Sequence, residues 1–207
     1  MLLNLRQSVP TVPDFVARTT ESARRDGFPV EKDPGRDSCC IPQMGYVLMM
    51  AAAAKPGGTI AEAGTAYGVG TAWLTAGLTA GATLTTVERD KEKVQSVAQL
   101  FADREDVTVL HGDSGKLLPE SGPYDLLFAD GLGRTADLMG ETGSLLVDML
   151  RVGGVLFFDD VRPESWDEPD RSGGLKRAFI ASRDELVGTE IPLTDEWSAL
   201  MATRIPV

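Results

Sequence analysis

The stretch that most constrains how this chain can fold is Thr59–Leu74, TIAEAGTAYGVGTAWL. Ile60, Ala61 and Ala63 form a short apolar run of the kind found in a strand buried on both faces, and Glu62 interrupts it near its end. A carboxylate placed there points to a ligand. Gly64, Gly68 and Gly70 then allow a sharp turn and a close backbone approach to a bound molecule, and Thr71–Leu78 reads as the helix that follows. Together these make a strand-to-helix turn suited to a nucleotide. A dinucleotide fingerprint G-x-G-x-x-G begun at Gly68 and Gly70 would put its third small residue at Trp73, so the pattern present is E-x-G-x-x-x-G. Taken alone, the stretch also fits a glycine-rich turn with no ligand.

Strands and helices alternate after it. Thr83–Glu88, Val107–Gly112, YDLLFAD at 124–130 and GGVLFFDD at 153–160 read as strands, with helices over Asp90–Asp103 and about Thr135–Leu150 between them. A helix near Leu175–Ser182 leads to closing strands near Thr189–Leu193 and Ala199–Ile205, joined by the short turn TDEW. Before the opening stretch, Thr11 and Asp14 resemble a capping box for a helix over Val12–Arg25, and Gln43–Lys55 reads as a second helix. Between them FPVEKDPGRDSCCIPQ is irregular and long enough for a lid or binding loop. The expected architecture is α/β: a doubly wound, seven-stranded, mainly parallel sheet with an antiparallel edge strand. One domain is expected over 1–207, with an N-terminal helix and lid-like loop over 1–41 and the cofactor-binding and catalytic core over 42–207.

A net charge of −11 disfavours nonspecific binding to nucleic acid or anionic membranes, which needs clustered Lys and Arg. The longest apolar run, VLMMAAAA at 47–54, falls short of the roughly 20 residues that span a bilayer. The N-terminus lacks a basic segment followed by a continuous apolar one, so a cytoplasmic location is expected. Adjacent Cys39 and Cys40 suit neither a disulfide framework nor a C-x-x-C site and read as reduced, packed thiols.

In a doubly wound sheet, ligands bind beyond the carboxyl ends of the strands. The predicted strands put Glu62 and Gly64, Glu88, Gly112 and Asp113, Asp130, and Asp159 and Asp160 along that one rim. Glu88, with Arg89 beside it, ends the second strand, where a carboxylate can accept both hydroxyl hydrogens of a ribose. Asp113 and Ser114 are placed to contact the base. The combination EAGTAYG, TTVERD, LHGDS, LLFADG and FFDDV resembles the class I S-adenosylmethionine-dependent methyltransferases, and more narrowly the small O-methyltransferase family that includes catechol and caffeoyl-CoA O-methyltransferases. The resemblance covers about residues 40–165.

That resemblance implies S-adenosylmethionine as cofactor, with Glu62 and the Gly64–Gly70 turn, including Thr65, around its methionine end and Thr71 opening the next helix. It places Glu88 on the ribose, Asp113 and Ser114 at the adenine, and Asp130 at the cofactor too. It further implies a divalent metal (Mg, Ca or Mn) held by Asp130, Asp159 and Asp160, which are then the catalytic residues, a small hydroxylated aromatic substrate, and a homodimer. Carboxylates on neighbouring strand ends, about 4.8 Å apart, can converge on one hard cation. Three departures stand out. Asp160 replaces the family's Asn, leaving a ligand set of about −1 with a divalent metal by simple charge counting. Gly133 falls where the family has a lysine base, and neighbouring Arg134 is no base. Gly70 stands where a serine is common. A metal-independent methyltransferase using Asp159 or Asp160 to orient or deprotonate, and an inactive cofactor-binding protein, are the alternatives. His111 reads as structural or adenine-facing, Met44, Met49, Met50 and Trp73 as core, and Trp166 as a substrate-facing aromatic.

Overall fold

A computed structural model of the chain describes residues 11–32, 38–132, 137–163 and 171–207. In chain order its elements are α1 (Asp14–Arg25), α2 (Pro42–Ala53), β1 (Thr59–Ala63), α3 (Val69–Gly77), β2 (Thr83–Glu88), α4 (Lys91–Leu100), β3 (Val107–His111) and α5 (Ser114–Ser121). They continue with β4 (Tyr124–Phe128), α6 (Glu141–Asp148), β5 (Leu150–Val161), α7 (Arg171–Ala181), β6 (Leu186–Pro192) and β7 (Ser198–Arg204). The seven strands form one sheet in the order β3-β2-β1-β4-β5-β7-β6. Pairs within β1–β5 are parallel, and β7 runs antiparallel to both β5 and β6. The α/β fold and its antiparallel pairing are as expected, with β7 inserted between β5 and the edge strand β6.

Alternate residues of each strand feed two cores, because successive side chains in a strand point to opposite faces. Ile60, Leu126, Phe128 and Phe157 pack with Val16, Leu48, Trp73 and Val97 from α1 to α4. Ala61, Ala63, Leu127, Leu156 and Phe158 pack with Leu118, Leu146 and Phe179 from α5 to α7. Burial on both faces explains why β1 and β4 read as nearly continuous apolar runs. Sequence order reverses at β1, which has β2 on one side and β4 on the other, and such a switch point opens a crevice at the carboxyl ends of the strands.

Several local expectations shift. Pro13 is the N-cap of α1 and no side chain caps that end, so the Thr11–Asp14 box does not form. Helix α5 begins within HGDSG, a stretch that by sequence reads as a loop; Gly115 and Pro119 within eight residues hide it. Strand β5 begins at Leu150 rather than 153, carrying Gly153 at φ +82°. Met44 and Trp73 are buried as expected, whereas Met50 is 61% exposed.

Candidate active site

Glu62 lies one residue from the end of β1, on the face that carries Ile60, and is 1% exposed. Its Oε2 accepts hydrogen bonds from Thr86 Oγ1 of β2 at 2.7 Å and from Thr71 Oγ1 of α3. Burial pushes its carboxyl up to about 8, against the opposing pull of the two threonine hydroxyls; Asp130 and Glu88 push it further up. Gly70 is the counterpart of this arrangement, since a Cβ there would meet Glu62 Oε1 at 2.4 Å. The departure from the family's serine therefore has a local cause: the carboxylate fills the space a side chain would need. Gly64, at φ +101°, brings its backbone against that of Gly131, whose N–H donates to the Ala63 carbonyl at 2.5 Å. This contact ties the turn after β1 to the loop after β4.

Glu88 closes the next strand. Its Oε2 accepts from the Ala66 N–H and its Oε1 from the Asp90 N–H, both at 2.9 Å, so it bridges the turns after β1 and β2. Asp113 caps α5, accepting from the Gly115 N–H at 2.9 Å, and the exposed Arg89 guanidinium lies 3.9 Å from its second oxygen. His111 is exposed at the end of β3 with Nε2 3.1 Å from the Arg89 carbonyl oxygen, away from the aspartates near the carboxyl ends of β4 and β5. Thr65 is buried and its hydroxyl lies 2.5 Å from that of Thr86. Gly112, at φ +153°, precedes Asp113.

On the other side of Glu62, one pocket is lined by Glu62, Asp130, Asp159, Phe128, the Gly64–Gly70 turn and residues of the N-terminal segment. Phe28 of that segment stacks on Tyr67 of the turn, ring centroids 4.7 Å apart. Cys39 and Cys40 line the same pocket; both are free, and burial raises both thiols, Cys39 to about 11. They are packing thiols, as expected.

The aspartates near the carboxyl end of β5 have a partner the sequence does not announce. The Lys32 ammonium donates to Asp160 Oδ1 and, at 3.4 Å, to Asp159 Oδ2. Its side chain is 7% exposed. It also lies 5.4 Å from the centre of the Trp197 ring, which Arg162 covers at 4.0 Å. Asp160 holds this position at φ +59°, a left-handed conformation uncommon for a residue with a side chain. Beneath it, the buried Lys176 of α7 donates to the Asp159 carbonyl at 2.7 Å. Asp159 Oδ1 is buried with no hydrogen-bond partner among the described residues.

Among the described residues, no three His, Cys, Asp or Glu side chains converge as a metal-holding group. Asp130 and Asp159 do share the pocket, but the seat between Asp159 and Asp160 is filled by the Lys32 ammonium. A dication placed there would face a fixed positive charge, so the donor set as arranged does not fit a divalent metal. Gly133, Arg134 and Trp166 lie outside the described residues. Lys32 and Trp197, which the sequence reading misses, join the rim from a proline- and glycine-rich loop and from the β6–β7 connection.

A family model described as a methyltransferase domain matches residues 61–161. Two curated proteins, from Mycobacterium ulcerans and Mycobacterium marinum, provisionally named O-methyltransferases, are each 29% identical over 123 residues. That match takes in 56% of this chain and 53% of theirs, so the aligned region spans about half the length of those relatives. Among solved structures, the fold matches an O-methyltransferase from Bacillus cereus in complex with S-adenosylhomocysteine, with a TM-score of 0.74 and 20% identity over 95% of this chain and 93% of that one. It also matches the O-methyltransferase TomG from Streptomyces achromogenes in complex with S-adenosylmethionine, with a TM-score of 0.71 and 21% identity over 94% and 91% of the two chains. The matched methyltransferase domain spans β1 to β5 with the glycine turn after β1 and the carboxylates of β1 and β2, and the fold is the one these solved O-methyltransferases share.

Proposed function

We propose that the chain transfers the methyl group of S-adenosylmethionine to an oxygen of a small hydroxylated, aromatic acceptor. The observation that carries this reading is the line of Glu62, Glu88 and Asp113 at the carboxyl ends of β1, β2 and β3, with Glu62 in the pocket that holds Asp130 and Asp159. Glu88 would accept from the ribose hydroxyls, Asp113 and Ser114 would flank the adenine with Arg89 and Gly112 beside them, and the Gly64–Gly70 turn would hold the methionine end. Thr65 and Thr71 fix the floor of that turn through Thr86 and Glu62. The acceptor oxygen would approach from the side of Asp159 and Asp160, in line with the bond from sulfur to methyl carbon.

Of the two readings of the acceptor half, metal-dependent and metal-independent, the Lys32 ammonium between Asp159 and Asp160 favours the second. A homodimer rests on the family resemblance, and light scattering tests it. The reading as a whole is tested by calorimetry with S-adenosylmethionine and NAD, and by methyl transfer from labelled cofactor to a panel of phenols with and without chelator. Binding of S-adenosylmethionine alone and labelled product in both conditions is expected. NAD binding without S-adenosylmethionine binding would refute the assignment of Glu62 and Glu88.

A further inference from the structure

We infer that Lys32 is the resident cation of the acceptor site: its ammonium, held by Asp159 and Asp160, donates to the acceptor oxygen in the place a divalent metal would otherwise take. The inference rests on the methyltransferase reading above. An ammonium has three N–H donors. Two are used, on Asp160 Oδ1 and Asp159 Oδ2, which leaves one for a ligand. The group is also fixed, because its side chain is buried and gripped by residues more than a hundred positions away in sequence.

Asp159 supplies the complementary half. Its Oδ1 is a buried acceptor with no partner among the described residues, and Asp159 lines the same pocket as Lys32 and the glycine turn. Unsatisfied buried acceptors are rare and costly, and one lining a pocket marks a position where a ligand donor belongs. A hydroxyl bound there would donate its hydrogen to Asp159 Oδ1 and accept from Lys32 Nζ, which fixes the direction of the remaining lone pair.

The charges agree. Asp159, Asp160 and Lys32 sum to −1 if all three are ionised, a charge that favours the sulfonium cation of the cofactor beside them. A dication would add two positive charges beside an ammonium and a sulfonium, so it would first have to expel Lys32. In the transfer itself, a lone pair of the acceptor oxygen forms the new bond to the methyl carbon as the bond from sulfur to that carbon breaks. The bonding pair returns to sulfur, leaving a neutral thioether in S-adenosylhomocysteine, and the hydroxyl proton passes along its hydrogen bond to Asp159 Oδ1 and from there to solvent as the product leaves. Lys32 acts by donating to the oxygen, so it positions the nucleophile and balances its charge.

The test uses the full chain, Mn2+ as the metal probe, and Lys32→Met, which keeps the side chain's length without its charge. Electron paramagnetic resonance is expected to show no Mn2+ bound to the wild type at millimolar concentration, with or without S-adenosylmethionine, and chelation is expected to leave methyl transfer unchanged. Lys32→Met is expected to keep cofactor affinity while kcat for an accepted phenol falls about 100-fold, the loss typical of removing one preorganised donor. Stoichiometric Mn2+ binding by the wild type, or transfer by Lys32→Met at the wild-type rate, would overturn the assignment. The Mn2+ titration decides the matter even if the variant does not fold. Absence of S-adenosylmethionine binding by the wild type would instead overturn the methyltransferase reading itself.

Discussion

A carboxyl group buried as Glu62 is holds its proton more tightly than one in water, and its value of about 8 lies above the 4.5 of an ordinary glutamate. The folded chain therefore keeps a proton that the unfolded chain gives up. The resulting contribution to stability is fully present below about pH 4.5 and is lost as the pH rises through about 8. Glu62→Gln retains an acceptor oxygen for Thr71 and Thr86 and does not titrate. Its melting temperature is thus expected to gain on that of the wild type as the pH is raised across this window, as thermal scans would show. A second outcome concerns binding. A cofactor cation near Glu62 favours the carboxylate, so S-adenosylmethionine binding near neutral pH is expected to release protons. Calorimetry in two buffers of different ionisation heat measures that release; its absence in the wild type, or its persistence in Glu62→Gln, would place Glu62 away from the cofactor's positive charge.

Helices α4 and α5 both begin on an aspartate cap at the end of a strand, and the comparison separates capping from binding. Asp90 Oδ1 accepts from the Glu92 and Lys93 N–H groups, and Asp113 Oδ1 accepts from that of Gly115. Replacing either by Ala is expected to cost about 1 kcal/mol of stability, read from denaturant unfolding. Only Asp113→Ala should also weaken S-adenosylmethionine binding; equal affinity in the two variants would reduce Asp113 to a cap. These elements also show what the sequence discloses. Strands β1 and β4 were legible as short apolar runs and β2 by its β-branched residues, and with them the rim positions of Glu62, Glu88 and Asp130. Helix α5 was not, because Gly115 and Pro119 lower the propensity of a helix that tertiary packing of Leu118 stabilises. Lys32 lies in a segment with no periodicity, and its partners stand 127 and 128 residues away, so nothing local marks its destination.

Phe28, Cys39 and Cys40 cover the pocket at the carboxyl end of β1, and this bears on how the molecule must move. The pocket beneath Phe28, Cys39 and Cys40 has a volume of about 30 Å3, room for a water or two, whereas small-molecule sites commonly enclose about 300–1,000 Å3. Admitting S-adenosylmethionine therefore requires this cover to part, separating Phe28 from Tyr67. The two cysteines report on that opening. Cys39 is buried and its thiol is raised to about 11, so at pH 8 only about one in a thousand is thiolate, the form that reacts with alkylating agents. Alkylation of the cofactor-free protein, followed by mass spectrometry, is expected to run far slower than that of an exposed thiol. It should slow again when saturating S-adenosylmethionine holds the cover shut. Labelling at the rate of a free thiol would show that the cover stands open in solution. Labelling that S-adenosylmethionine leaves unchanged would show that the cofactor reaches its site without closing the segment over it.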